Sequence, residues 1–441
     1  MTHQAKYKPS GYQWLEIIPS HWQLKRIKDK TLINVATLDD NTSKEFEIKY
    51  LDISNVESGG KILDYQEMNF EDAPSRARRI VKDRDIALST VRPNLQAIAY
   101  LDSNPTNLIA STGFAVIQSN KDFDPRFLYY FLYSEYFKAQ IESKAVGVSY
   151  PAVNSNDIGQ FRLVVPPIAE QQSIVKYLDD RVGIVDKMIQ NKNKQIETLK
   201  QFRMITITNA VLKGIDGQTE TKESGTKWIG KIPKNWQVKR LKDLLKSGLS
   251  NGIFKKSEEF GEGLKLVNVV DLFQEDFQIK YESLDRVKTS KEEYDVFKVE
   301  KGDIFFVRSS LKLEGIACAS FIKEVPEETV FDCHIVRAQT NPLKMDPFFL
   351  INYLNSSVVR QHLIACSNTV TMTTISQPKL SSLKVVVPPI SEQIRIADYI
   401  AVKSKWFREM INNIEIQIDK LSEYRKVIIN DVVTGKIKIT N

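Results

Sequence analysis

Arginine, lysine and small hydroxyl residues gather in a few segments of this chain, most of them bounded by proline, glycine or asparagine. In the first half, Pro74-Ser75-Arg76-Ala77-Arg78-Arg79 is followed by Arg84, and Arg92-Pro93-Asn94 closes an apolar run. In the second half, Lys255-Lys256-Ser257 and Arg308-Ser309-Ser310-Leu311-Lys312 answer them. Late in each half come Lys144-Ala145-Val146-Gly147-Val148-Ser149-Tyr150 and Ser367-Asn368-Thr369-Val370-Thr371-Met372-Thr373. Arginine suits bidentate reading of guanine edges and asparagine that of adenine, while Ser, Thr and Lys mostly hold phosphate. Any one of these arginines is most simply a solvated charge. Together the loops define a candidate DNA face. Its residues are Arg76, Arg78, Arg79, Arg92, Asn94, Lys144, Ser149 and Tyr150 in the first half, and Lys255, Lys256, Arg308, Ser309, Lys312, Thr369, Thr371 and Thr373 in the second. A net charge of +7 permits a polyanionic partner without requiring one.

No catalytic or metal-binding pattern accompanies these loops. Gly59-Gly60-Lys61 and Gly261-Glu262-Gly263 lack the spacing that cradles phosphates, and neither Cys-x-x-Cys nor His-Glu-x-x-His occurs. His334 and His362 stand in no nucleophile setting. Cys318, Cys333 and Cys366 all lie in the second half, an odd and sparse set that fits reduced thiols in a cytoplasmic protein. No apolar run reaches membrane-span length, and the start Met1-Thr2-His3 is no signal peptide, so no membrane is expected.

The elements that must position these loops are written twice. Trp14, Pro19 and Trp22 return as Trp228, Pro233 and Trp236, each set followed by Lys-Arg-(Ile/Leu)-Lys-Asp. Asp85-Ile86-Ala87-Leu88 and Asp303-Ile304-Phe305-Phe306 each predict a buried strand that delivers an arginine, Arg92 or Arg308, into a loop. Val164-Val165-Pro166-Pro167-Ile168-Ala169-Glu170-Gln171 returns as Val386-Val387-Pro388-Pro389-Ile390-Ser391-Glu392-Gln393. An apolar segment, a double proline and then Glu-Gln reads as a strand ending and a helix starting. The double prolines are set between Val and Ile, so they are not the Asn/Asp-Pro-Pro-aromatic loop of an amino-methyltransferase.

Each long helix carries a heptad seam. Leu178, Val182, Val185, Ile189, Lys192, Ile196, Leu199, Arg203, Thr206 and Ala210 match Ile400, Ser404, Phe407, Ile411, Ile414, Ile418, Leu421, Arg425, Ile428 and Val432 in phase. Equal length and phase predict that the helices pair with each other. A helix from Ala169 to Leu212 is about 66 Å long, whereas the connector from Gly214 to Trp228 reaches at most about 50 Å. That favours an antiparallel pair, a strut joining two domains. The expected fold is α+β: a first mixed α/β domain over 1–166, a helix over 167–213, a second domain over 214–388 and a helix over 389–435.

These repeated words, spanning essentially the whole chain, resemble the DNA specificity subunit of type I restriction–modification enzymes. The resemblance implies two pseudo-symmetric target recognition domains separated by two long antiparallel coiled-coil helices. Each domain would read one half of a split double-stranded DNA target, with the helices fixing the spacer. It implies a non-catalytic chain with no cofactor of its own. Two methyltransferase subunits would bring S-adenosylmethionine, and restriction subunits would bring ATP, magnesium, motor and nuclease. It also places Arg92 and Arg308 on DNA-facing loops, and suggests Glu170, Gln171, Glu392 and Gln393 near the helix starts as partner contacts, with capping of the helix start the equally simple reading. A fused catalytic restriction–methylation chain and a coiled-coil adaptor that binds only proteins are the alternatives.

Overall fold

The computed structural model describes residues 6–57, 59–102, 106–147, 151–217, 219–369 and 372–439, Thr369 through its backbone only. Its two compact units cut across the expected boundaries. One joins Met1–Lys192 to Glu415–Asn441, and the other is Asn193–Ile414. Each long helix, Ile168–Lys213 and Ile390–Val433, therefore begins in one unit and ends in the other.

In the first unit, an antiparallel sheet runs in the order Thr31–Ile33, Phe114–Ser119, Asp85–Ser89, Ile98–Leu101. A second sheet runs Gln66–Asn69, Glu47–Leu51, Leu108–Ser111, Ala77–Ile80, with the middle pair parallel. The second unit repeats this plan. Its first sheet is Ser250–Asn251, Ile335–Ala338, Ile304–Val307, Ala319–Phe321, and its second is Asp285–Val287, Phe260–Val267, Thr329–Phe331, again with one parallel pair. The strands opening Asp-Ile are buried at every position in both units, as near-continuous apolar runs require. Their leading aspartates share one task. Asp85 accepts from the Lys82 N–H and Gln118, and Asp303 from the Glu300 N–H and Gln339. Burial raises both carboxyls above the usual range, Asp303 to about 6.

The strand before each double proline has a fixed partner. Arg162–Val165 pairs antiparallel with Gln23–Arg26, and Lys384–Val387 with Gln237–Arg240. The tryptophan just ahead of each partner strand, Trp22 or Trp236, is fully buried. The helix start is then locked by the glutamine of the repeated motif. Gln171 donates to the Pro166 carbonyl (2.8 Å) and accepts from the Asp124 N–H (2.8 Å), Asp124 being the N-cap of helix Pro125–Leu132. Gln393 donates to Pro388 (2.9 Å) and Lys344 (3.2 Å) and accepts from Asp346, the N-cap of Pro347–Asn355.

The pairing of the long helices is seen separately in each unit. In the first, Ile174, Leu178 and Val182 near the start of one helix share a core with Ile428, Ile429, Val432 and Val433 at the end of the other. Arg425 donates to Asp186 at 2.9 Å. In the second, Ile207, Ala210 and Val211 share a core with Ile396 and Ile400. The start of each helix lies beside the end of the other, so the pair is antiparallel. All twenty predicted seam positions are buried or half-buried. Lys192 is half-buried on the seam. Both helices stop at a left-handed glycine. Gly214 (φ +81°) rests on Trp236 in the second unit, and Gly435 (φ +78°) on Pro19 and Trp22 in the first.

Candidate nucleic-acid interface

In the first unit, strand Asp85–Ser89 hands over to a turn held in an unusual backbone state. Arg92 (φ +48°) and Gln96 (φ +52°) are left-handed on either side of the single turn Pro93–Leu95. An L-residue pays roughly 1–2 kcal/mol for that conformation, so the surroundings must impose it. They do: the Arg92 N–H donates to Pro151 O at 2.7 Å, and Val91 bridges to Ala152, which bridges in turn to Val146. Arg92 and Asn94 are thus presented, exposed, beside Lys144 at the end of helix Glu135–Lys144. Backbone bonds from Thr112 N to Arg76 O and from Thr90 N to Gly113 O bring Arg76 alongside, its guanidinium 3.3 Å from Asp52. Ser149 and Tyr150 lie outside the described residues.

The second unit builds the corresponding place with more sheet. Ser309–Ser310 pairs with Thr373–Thr374, which pairs with Asn368–Thr369. The Arg308 N–H donates to His334 O and its carbonyl accepts from the Ile375 N–H, both at 3.0 Å. Arg308 and Lys312 are exposed. Beside them opens a cleft of about 710 Å³, walled by Phe273, Ser309, Leu311, His334 and Met372 among others. Ser309 Oγ lies 3.4 Å from His334 Nδ1. Thr371 lies outside the described residues. In the first unit these backbone bonds bring together all three basic segments, whereas in the second the small sheet joins only the segments 308–312 and 367–373.

Several expected contacts are corrected by burial or prior commitment. Lys255 is sealed between Glu293 (2.8 Å) and Glu259 (3.0 Å), with 7% of its side chain exposed, so its charge is already neutralised. Its neighbour Lys256 remains exposed. Thr373 is buried, its place in the middle strand of the small sheet turning its side chain away from solvent. Arg79 is half-buried in strand Ala77–Ile80, its Nε enclosed without a partner, and burial lowers its pKa. Arg78 is engaged with Asp40 and the Phe70 ring. Gln171 and Gln393 are no partner contacts either, because both are fully buried in the lock described above. Glu170 is half-buried and bonded to His21 (2.8 Å), and Glu392 is half-buried near Gly214.

His334, which the sequence places only outside any nucleophile setting, is brought to Arg308 by strand order. It also belongs to a group, with Asp332 and Cys333, whose donor atoms lie within 4.8 Å of one another. One Asp332 oxygen is already taken by the His334 N–H at 2.8 Å. Among the described residues no helix is long and apolar enough to cross a membrane.

Two copies of one domain, each ending a buried strand on an exposed arginine and each passing into a long paired helix, define a duplicated recognition scaffold. The chain belongs to the type I restriction modification DNA specificity domain family, whose model matches residues 19–200 and 233–420. It is 26% identical over 350 residues to the type I restriction enzyme MjaVIII specificity subunit of Methanocaldococcus jannaschii, covering 76% of this chain and 75% of that one. The MjaIX specificity subunit of the same organism is 23% identical, covering 96% and 95%. A chain solved in work on complex assembly and conformational transition of the type I R-M system shares the fold, with TM-score 0.70, 20% identity and coverage of 97% and 100%.

Proposed function

We propose that this chain is the non-catalytic reading subunit of a type I restriction–modification complex, acting in the cytoplasm on double-stranded DNA with a split target. The observation that carries the reading is the matched pair of exposed arginines. Arg92 and Arg308 each leave a fully buried strand and each are held by backbone bonds to a second, later segment. A guanidinium whose backbone is fixed in this way loses little freedom on contacting a base edge or phosphate. Arg76, Asn94 and Lys144 in the first domain, and Lys256, Ser309, Lys312 and Thr369 in the second, join them in contacting DNA. Ser149, Tyr150 and Thr371 are further proposed DNA contacts.

The domains differ around these arginines, left-handed turn in one and three-stranded sheet in the other, which supports two different half-sites. The antiparallel helices set the spacer. Two weak readers at fixed separation bind together only where target spacing matches, so the helices act on avidity rather than on base choice. Two methyltransferase subunits and, in a complete complex, restriction subunits assemble on this chain. S-adenosylmethionine, ATP and magnesium are bound by those partners, and this chain carries no cofactor. Mapping modified adenines across the host genome with and without the gene tests the reading. Loss of one split motif is expected, and an unchanged set of modified sites refutes it.

A further inference from the structure

Arg92 and Arg308 share more than their place after a buried strand. Three residues beyond each stands a leucine, Leu95 in Arg92-Pro93-Asn94-Leu95 and Leu311 in Arg308-Ser309-Ser310-Leu311. Neither joins a core. Leu95 leaves 56% of its surface in water and Leu311 84%. A single exposed leucine needs no explanation. Two at one spacing from matched arginines, each among the cations and polar groups of the proposed DNA face, do need one.

Both are held on fixed backbone. Leu95 closes the single turn Pro93–Leu95, its N–H donating to Arg92 O at 2.9 Å, and Gln96 beyond it is left-handed. Leu311 sits inside a turn made by Ser310, whose Oγ donates to Lys312 O (2.7 Å) and accepts from the Lys312 N–H (3.2 Å). Further exposed apolar groups belong to the same places. Val146 is on the segment that Ala152 bridges to, and Phe273 and Met372 line the cleft together with Leu311.

An isobutyl group can bond neither a phosphate nor the donors and acceptors of a base edge. On DNA its apolar partners are thymine methyls and the faces of the bases. A methyl contact would tie both domains to thymine at one position, although the domains differ around their arginines and read different half-sites. Base faces are present at every step. Insertion is therefore the one role that suits the same residue in two unlike readers.

We infer that Leu95 and Leu311 are wedges, each entering a base step of its half-site and partly unstacking it beside the arginine contact. The inference rests on the proposed function for the DNA; the wedge positions follow from the duplicated, exposed and backbone-held leucines. Unstacking is easiest at pyrimidine–purine steps such as TA and CA, so each wedge adds a preference where no hydrogen bond reads the base.

The test uses the chain assembled with its methyltransferase subunit, on duplexes carrying the split motif that methylation mapping identifies. 2-Aminopurine, bright only when unstacked, replaces purines one at a time in and beside both half-sites. The adenines to be methylated are left alone, because a methyltransferase flips its target base out. Binding is expected to raise emission severalfold at one step in each half-site. Leu95→Ala is expected to abolish the rise in one half-site and Leu311→Ala in the other, each weakening affinity about tenfold. Leu95→Met and Leu311→Met keep both rises, and the unfolding temperature stays unchanged in all four variants. No rise on the unsubstituted complex, or a rise that survives both alanine variants, would overturn the wedges and leave the functional reading intact. So would an alanine effect that vanishes when deoxyuridine replaces thymine, since that marks a methyl contact. An unsubstituted complex with no preference for the split motif over unrelated DNA would refute the functional reading itself.

Discussion

Replacing Gln393 by leucine removes the side chain that locks the second domain to its long helix, and the structure sets the size of the effect. Three bonds are lost: donation to Pro388 O (2.9 Å) and Lys344 O (3.2 Å), and acceptance from the Asp346 N–H (2.9 Å). The site is fully buried, so water cannot take over without the junction opening. At about 1 kcal/mol per bond, and more where a backbone group is left orphaned, the expected loss is about 3–5 kcal/mol. For a unit of this size that lowers the unfolding temperature by roughly 6–20 °C. Gln171→Leu removes two bonds, to Pro166 and from Asp124, and is expected to cost about 2–3 kcal/mol in the first unit. Calorimetry of the chain, with hydrogen exchange assigning each transition to a unit, measures both. Leucine keeps the volume, so a cavity does not confuse the reading. A shift of less than about 1 °C for Gln393→Leu, accompanied by weaker methyltransferase binding, would refute the lock and return this glutamine to a surface role.

The helix ends give an unequal pair. Gly435→Ala places a Cβ 2.5 Å from Pro19 Cδ and 3.1 Å from Trp22 at positive φ, so about 2–4 kcal/mol is expected, whereas Gly214→Ala meets nothing closer than 3.4 Å and costs about 1 kcal/mol; equal losses by calorimetry would argue against the docking of Gly435. Asp303, raised to about 6 by burial, binds its proton more tightly folded than unfolded, so its contribution is full below the ordinary carboxylate range and is lost as pH rises through 6. Asp303→Asn should therefore gain up to about 3 kcal/mol over the parent at pH 8 relative to pH 4 in urea unfolding, and a pH-independent difference would count against it. Inserting one heptad into both long helices adds about 10 Å, or roughly three base pairs of spacer, and methylation mapping should find unchanged half-sites further apart.

The duplicated plan was legible because its signals are local. A strand meeting a double proline, a seven-residue apolar repeat and a tryptophan ahead of Lys-Arg are each complete within a short window. The antiparallel sense followed from reach alone and holds within each unit. The reading face was legible only in part. Arg92 and Arg308 could be placed because a buried strand must end somewhere exposed, and both do. Lys255 could not, because the two carboxylates that take up its charge lie on Glu259, in the next turn, and on Glu293, at the start of another helix. Nothing in the spacing of Lys255-Lys256 tells a sealed lysine from an open one. His334 reached the site by strand order, Thr373 left it for the same reason, and neither event has a local signature.

The glutamine of the repeated motif shows how a correct pattern can mislead about its cause. Glu-Gln after Pro-Pro reads equally as a cap on the helix start or as a polar surface open to a partner. In each unit the glutamine instead turns inward and bridges the proline carbonyl to the N-cap of an earlier helix, Asp124 or Asp346. A carbonyl next to a second proline has no following N–H in its vicinity to pair with, so it needs a side-chain donor, and glutamine is long enough to reach it from the first turn while still accepting a bond. The motif recurs because a strand that stops at two prolines and restarts as a helix leaves the same unpaired carbonyl each time. What is repeated at the junction is therefore a solution to burial.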